Sequence, residues 1–320
     1  MCACVKIFEK MWGCTSVRIV SSDGSPVYGR TLDYSVPFQS EIRVVVPGTR
    51  FQGTSYYGPD RRGKTWRSVY KYRGLNTTVL PELSGWVVDG INEKGLVASA
   101  LYLPNYSRYE DPCLERVDET VGCWEVVDLL LGTCASIHEA RKRLGSVVVA
   151  EQGFPVVVDW IAPQIHFHVV DADGNDLVVE YIDGQCKMYD NPEGVLTNEP
   201  PFDQQRRNLE RYAGLTPRFD TSSPLRQNGN GFLGLPGDYT SVSRFVRASV
   251  LRRFMTTPRD AAEGERLMWR IMGNFDIVPG IERTRENRIN ETQWTVVYDL
   301  RKKKMSVRFP TEIVPQSFFV

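Results

Sequence analysis

Short β-type runs stand at both ends and in the middle of this 320-residue chain, with helical stretches between them. That order narrows the fold more than any other feature. Residues 17–20 and 26–30 flank Ser21-Ser22-Asp23-Gly24-Ser25, a hairpin signature. Residues 42–46 are a further strand candidate. Gly90-Ile91-Asn92-Glu93-Lys94-Gly95 reads as a turn into an apolar, strand-like run at 96–103. The main helical signal spans 122–145, where Val126, Val127, Leu129, Leu130 and Leu131 form an apolar stripe. Within it Ser136 caps a second helix that has His138-Glu139 in its first turn. Strands return at 166–170, 177–181 and 187–189, punctuated by Asp171-Ala172-Asp173-Gly174-Asn175-Asp176 and Ile182-Asp183-Gly184-Gln185. A loop rich in Ser, Asn, Gly and Pro at 221–237 precedes helices at 240–255 and 259–272. Residues 293–299 and 305–309 make a last hairpin. Strands, helices, strands, helices and strands in that order suit antiparallel sheets covered by helices in one domain, and argue against a βαβ parallel sheet.

The composition, 42% apolar and 24% charged, is ample for a core. Formal net charge is zero, and Arg301-Lys302-Lys303-Lys304 reads as a solvated turn between two strands, so no nucleic-acid partner is expected. There is no 18-residue apolar run, hence no expected membrane span. The first 13 residues carry Lys6, Glu9 and Lys10 and lack the apolar core of a signal peptide. A cytoplasmic address follows as the expectation. The seven cysteines are scattered and odd in number, which favours neither a disulfide framework nor a CxxC metal pair.

Cys14 is the leading candidate for chemistry. A lone cysteine is ordinarily a small core hydrophobe. Here Gly13 precedes it, small polar Thr15-Ser16 follow it, and Arg30 and Asp33 lie after a hairpin that returns beside the first strand. A nearby guanidinium favours thiolate over thiol. Removal of the 13 residues before Cys14 would also give it a base of its own, because an α-amino group titrates at about pH 7.7–8.0. Arg30 and Asp33 could equally be a structural ion pair. Three apart on a strand they face opposite ways, so they converge only if the strand ends between them.

Asn198 stands at a strand end before Pro200-Pro201. It reads either as a turn residue or as a side-chain donor to a developing oxyanion. Arg244 follows Thr240 or Ser241, a plausible helix N-cap, and could be a surface charge or a cation turned into a cleft. Two rivals are weaker. The Asp171 loop faintly suggests a calcium loop, but its twelfth position is Ile182 rather than glutamate, so a hairpin turn is the better reading. His166 and His168 share a strand face and could ligate a metal or partner Cys14 in a Cys/His protease. No third ligand and no Cys-Gly-x-Cys-Trp signature accompanies them, so they read as core or interface histidines.

Five segments, taken together, resemble the choloylglycine hydrolases, the family of penicillin V acylases and conjugated bile salt hydrolases. They are Cys14-Thr15, Gly29-Arg30-Thr31-Leu32-Asp33, Asp89-Gly90-Ile91-Asn92-Glu93-Lys94-Gly95-Leu96, Gly194-Val195-Leu196-Thr197-Asn198-Glu199-Pro200, and the run from Gly234 to Phe245; residues 292–295 lie where a further family segment would be. The resemblance implies an α+β fold, the four-layer αββα sandwich of N-terminal nucleophile hydrolases with two antiparallel sheets. It implies a leader at 1–13 and one catalytic domain at 14–320. It assigns Cys14 as nucleophile, and Arg30 and Asp33 as groups that orient and tune it. Asn198 and the Tyr102 backbone N–H become the oxyanion donors, and Arg244 the transition-state arginine. A small-molecule amide is the implied substrate, with no metal and no organic cofactor, in a homo-oligomer, commonly a tetramer.

Tyr102 looks like the penicillin V acylase version of its position, where bile salt hydrolases typically have asparagine, and so favours an aromatic or aliphatic acyl group. Bile salt hydrolysis and N-acyl homoserine lactone acylase chemistry are the alternatives within the family. A non-catalytic ligand-binding protein on the same fold is the alternative outside it. Met11-Trp12-Gly13-Cys14 suits translation from Met11 with a three-residue prepeptide. Cys2 is a competing nucleophile, but the spacing to Arg30 favours Cys14. Acyl selectivity is expected from loops near 34–40, 55–65 and 100–112.

Overall fold

The computed structural model describes residues 12–35, 39–53, 62–76, 86–151, 154–156, 159–161, 163–284 and 287–320. The chain opens with a long hairpin, β1 (Trp12–Val20) and β2 (Pro26–Tyr34), turning at the Asp-Gly signal. It then crosses to a second sheet and lays down β3 (Ile42–Val45), β4 (Tyr72–Asn76), β5 (Val87–Asn92) and β6 (Val97–Tyr102). Two helices follow, α1 (Val126–Thr133) and α2 (Ile137–Leu144), the second capped by the Ser136 side chain. The second sheet is completed by β7 (Ile165–Val170), β8 (Asp176–Ile182) and β9 (Gln185–Asp190). The chain returns to the first sheet at β10 (Val195–Leu196), forms α3 (Phe202–Leu209), α4 (Ser241–Phe254) and α5 (Ala261–Met272), and ends on β11 (Ile289–Asp299), β12 (Lys304–Arg308) and β13 (Gln316–Phe319).

The first sheet runs β10-β1-β2-β11-β12-β13, with Glu282–Arg283 pairing onto β11; the second is an antiparallel meander, β9-β8-β7-β6-β5-β4-β3. The pairings within both large sheets are antiparallel. Helices α4 and α5 pack on the first sheet and α1 on the second, giving layers α, β, β, α. The approach of α5 to β2 is close. A Cβ built on Gly29 would lie 2.5 Å from Met268 Cγ, so glycine is what lets this helix seat.

Strand alternation sorts side chains between layers. Ala98, Ala100, Phe167, Val169, Leu177 and Val179 join Val126, Val127, Leu129 and Leu130 in an apolar layer between the second sheet and its helices. The opposite faces turn toward the first sheet and are unusually polar. Arg30 meets Asp89, Tyr28 donates to Ser99, and Ser16 meets His168, all buried.

The sequence reading holds for the hairpin, the strands at 166–170 and 177–181 and the helices after 240. It differs at 90–95, where β5 runs through Asn92 before the turn forms. Asn92 Oδ1 accepts the N–H groups of Lys94 and Leu96, which closes that turn locally. The strand expected before Asn198 is present as the two-residue β10, whereas strand β4 and helix α3 were not anticipated. In α3, Phe202 and Leu209 are its only apolar residues, too few for a visible stripe.

Candidate active site

Cys14 lies in β1 opposite Leu32 of β2, with Ser16 opposite Arg30. That register puts Sγ and the Arg30 side chain on the same, inner face. Arg30 Nη2 donates to Cys14 Sγ at 3.4 Å and to the carbonyl of Ala100 at 2.5 Å. Its Nη1 donates to Asp89 Oδ2 at 2.9 Å and to the carbonyl of Val88 at 3.0 Å. The guanidinium also stacks over Trp294, 5.2 Å from the ring centre, and the Tyr298 hydroxyl donates to the other Asp89 oxygen. Burial works against the Arg30 charge. The sulfur of Cys14 and the carboxylate of Asp89 more than offset it, so Arg30 is held above its ordinary value. A fully buried cation is thus fixed against a fully buried sulfur.

Asp33 lies on the other face, beside Gly13, the residue that precedes Cys14. The sequence reading required the strand to end between Arg30 and Asp33 for both to approach Cys14. That is corrected here: β2 is continuous through Tyr34, and the two side chains point to opposite faces. Asp33 pairs with Gly13, the residue before the nucleophile candidate, while Arg30 reaches the thiol. A Cβ on Gly13 would lie 3.0 Å from Asp33 Oδ2 and 3.1 Å from Asp33 Cβ. Thr292 Oγ1 donates to Asp33 Oδ1 at 2.5 Å. Burial pushes the Asp33 carboxyl up to about 7; Arg244 and the Thr292 hydroxyl pull it down, and Glu282 and Asp276 push it further up.

The remaining groups come from the edge of the sheet. Ser16 pairs with Leu196 and Val17 with Val195, so the next ladder partner of Cys14 is Asn198. By then β10 has ended, and the side chain takes over the ladder: the Cys14 N–H donates to Asn198 Oδ1 at 2.8 Å. Asn198 Nδ2 donates to the carbonyl of Tyr102 at 2.8 Å, bringing the end of β6 into the cluster. Arg244 stands in the first turn of α4, whose N-cap is Thr240. Its Nη1 donates to the carbonyl of Cys14 at 2.5 Å and to Thr15 Oγ1 at 2.8 Å, and its Nη2 donates to Asn198 Oδ1 at 2.8 Å. Arg244 is therefore turned inward, not a surface charge. Asn198 Oδ1 accepts two donors, which fixes the amide so that its nitrogen faces Tyr102.

The five other residues expected from sequence are thus gathered around Cys14, Asp33 by way of Gly13 and Tyr102 by way of Asn198. Four partners were missed as site residues: Asp89, Tyr298, Thr292 and Trp294. Asp89 opens one of the quoted segments and Thr292 opens another, so position within a motif was the available signal; Tyr298 offered none. The rival motifs resolve otherwise. Asp171 Oδ1 accepts from the N–H groups of Asp173 and Asn175, closing a hairpin turn. His166 and His168 are buried between the sheets on carboxylates, a main-chain carbonyl and the Ser16 hydroxyl rather than on Cys14. Among the described residues no group of three or more His, Cys, Asp or Glu could hold a metal ion. Cys14, Cys113, Cys123, Cys134 and Cys186 are free thiols. Cys2 and parts of two expected selectivity loops, 36–38 and 55–61, lie outside the described residues.

The profile of the linear amide C–N hydrolases, choloylglycine hydrolase family, matches residues 14–313, starting at Cys14 itself. This chain belongs to that family. It is an amide hydrolase on the N-terminal nucleophile hydrolase fold. The bile salt hydrolase/transferase of Clostridium perfringens is 28% identical over 296 residues, 90% of this chain and 87% of that protein. The penicillin V acylase of Pectobacterium atrosepticum is 24% identical over 317 residues, 92% and 76% of the two chains. Among solved structures, a variant of the conjugated bile acid hydrolase from Clostridium perfringens superposes with a TM-score of 0.82 at 25% identity, covering 96% of this choloylglycine hydrolase relative and 92% of the other chain. Among the described residues no helix is long and apolar enough to cross a membrane.

Proposed function

We propose that this hydrolase cleaves a linear amide of penicillin V acylase type by covalent catalysis at Cys14, after the residues at 1–13 are removed and 14–320 remains as one catalytic domain. The observation that carries the reading is the convergence on one residue: Arg30 on its sulfur, Asp33 beside its preceding glycine, Asn198 on its N–H and Arg244 on its carbonyl.

Cutting Gly13–Cys14 turns the Cys14 N–H into an α-amine, a base of suitable strength beside the thiol. The amine takes the thiol proton and Sγ attacks the substrate carbonyl. Arg30, already 3.4 Å from Sγ, favours the thiolate. The tetrahedral oxyanion is received by Asn198 Nδ2 and the Tyr102 N–H, and loss of one such donor typically costs about 10²–10³ in kcat. Arg244 holds the Asn198 amide in register and supplies positive charge nearby. The C–N bond then breaks, the leaving amine takes the proton from the Cys14 amine, and an acyl thioester remains. Water adds to the thioester and releases the acid and the thiol. Asp33, beside the new amine, biases that amine toward the charged form whenever it is itself ionised.

Tyr102 favours an aromatic or aliphatic acyl group. A second reading, hydrolysis of conjugated bile salts, is supported by the higher identity to the bile salt hydrolase/transferase of Clostridium perfringens, 28% against 24% for the penicillin V acylase. A panel of penicillin V, glycine and taurine bile conjugates and acyl homoserine lactones, run with wild type and Cys14→Ala, separates them. Preferential turnover of penicillin V, lost in Cys14→Ala, is expected. Turnover of bile conjugates alone selects the second reading, and activity that survives in Cys14→Ala rejects the nucleophile. A homotetramer is part of the same proposal, read by sedimentation velocity.

A further inference from the structure

The layer between the sheets holds a pair that the chemistry above leaves unused. His166, on β7, is engaged at both ring nitrogens. Nδ1 lies 3.0 Å from Glu180 Oε1 on β8, and Nε2 lies 2.9 Å from the carbonyl oxygen of Thr197. A carbonyl can only accept, so Nε2 donates. Glu180 Oε1 also accepts the N–H of Phe202 at 3.0 Å, at the N-terminus of α3. One further proton is therefore shared between Nδ1 and Oε1, whichever atom carries it. Both side chains are fully buried, and Glu180 Oε2 has no partner among the described residues. The bonding of this carboxyl is thus concentrated on one oxygen.

The two protein anchors of this pair are Thr197 and Phe202, and they bracket the segment that carries Asn198. His166 holds the carbonyl at one end and Glu180 the N–H at the other. The other backbone ties named on this segment come from the first-sheet side: Ser241 of α4 takes the Asn198 N–H at 2.9 Å, and Gln205 of α3 reaches the Glu199 carbonyl at 3.1 Å. His166 and Glu180 belong to the second sheet, as does Tyr102, the residue across from which Asn198 must stand. The pair thus ties the backbone on both sides of Asn198 to the second sheet, beside the bond that the Asn198 side chain itself makes to Tyr102 on β6.

We propose that His166 and Glu180 form a positioning dyad that fixes the Asn198 amide at the oxyanion site, acting on turnover through Asn198 without touching substrate. The proposal rests on the reading of Asn198 as an oxyanion donor. An interaction that only sets geometry costs rate rather than binding, and a displacement on the order of 1 Å can cost about 10²-fold.

The test is a double-mutant cycle on the processed enzyme with its best substrate. The variants are His166→Gln, the isosteric Glu180→Gln, Asn198→Ala, and each dyad change combined with Asn198→Ala. His166→Gln and Glu180→Gln are each expected to lower kcat by about ten- to a hundredfold with KM nearly unchanged. In the Asn198→Ala background neither should lower kcat further, because the group they position is gone. Thermal unfolding identifies a variant that fails to fold, and Glu180→Gln, which keeps an acceptor for Phe202, then carries the cycle. Wild-type kcat in the folded single variants, or losses that add in full to that of Asn198→Ala, overturns the dyad. A wild-type kcat in Asn198→Ala, with Cys14→Ala inactive, instead removes the oxyanion reading and the dyad with it, while leaving the nucleophile standing.

Discussion

Along β7 the side chains alternate Ile165, His166, Phe167, His168, Val169. The odd positions pack with Val126, Leu129 and Leu130 in the apolar outer layer. The even positions turn toward the first sheet, where His168 meets Ser16 at 2.7 Å and Asp176 at 2.7 Å. One strand thus serves two layers with opposite chemistry. The outer layer is non-directional and tolerates exchange of similar volumes. The inner layer carries, among apolar side chains such as Leu75, Val97 and Leu101, paired buried charges and hydroxyls that need their partners in place. The inner layer is also where Cys14 Sγ points. The difference separates residues whose loss costs stability alone from those whose loss costs turnover.

The sharpest way to break that comparison is at Arg30. Arg30→Leu leaves Asp89 buried without its cation, and truncation of one partner of a buried pair typically costs about 3–5 kcal/mol. Denaturant unfolding should register that loss, and kcat should fall to background. Arg30→Met with Asp89→Leu should recover much of the stability, as paired apolar replacements often do, and none of the turnover. Recovery of activity in the double variant would mean that the inner layer serves only packing. The counterpart outside is Leu130→Ala, at a fully buried position on α1. It should cost about 2–5 kcal/mol, read by the same unfolding experiment, with kcat unchanged.

A smaller effect is expected at Gly13. Asp33 occupies the space a side chain would need, so Gly13→Val should displace the Gly13–Cys14 peptide and slow appearance of the processed chain on the order of tenfold in a mass-spectrometric time course. The smallest concerns Asp33 in the unprocessed chain. Its carboxyl is raised from 3.8 to about 7, so between these values the folded chain binds more protons than the unfolded one. Stability attributable to Asp33 therefore falls as pH rises from about 4 to about 7. Asp33→Asn should remove that slope: its Tm relative to the unsubstituted chain should rise across this window in a pH series of thermal melts.

Much of the outer architecture was legible because it is written locally. The Asp-Gly turn after Val20, the stripe at 126–131 and the Thr240 cap each declare themselves within a few residues. The site was legible in part, through segments that keep Cys14, Arg30, Asn198 and Arg244 in order. The groups that fix it were not. Asp89 lies 59 residues from Arg30, Tyr298 lies 209 from Asp89, and Thr292 lies 259 from Asp33. Such pairs exist only once the two sheets face each other, and no local pattern encodes them. The reading of 30–33 failed for a related reason. Alternation correctly placed Arg30 and Asp33 on opposite faces, but the sulfur and the backbone of Cys14 can be approached from opposite faces at once.

The central claim is that Cys14 works as the first residue of the chain. Intact mass and N-terminal sequencing of enzyme with full amide turnover test it most directly. A chain that begins at Cys14 is predicted, with turnover appearing in step with that species. A fully active protein in which Cys14 is still joined to Gly13 would contradict it.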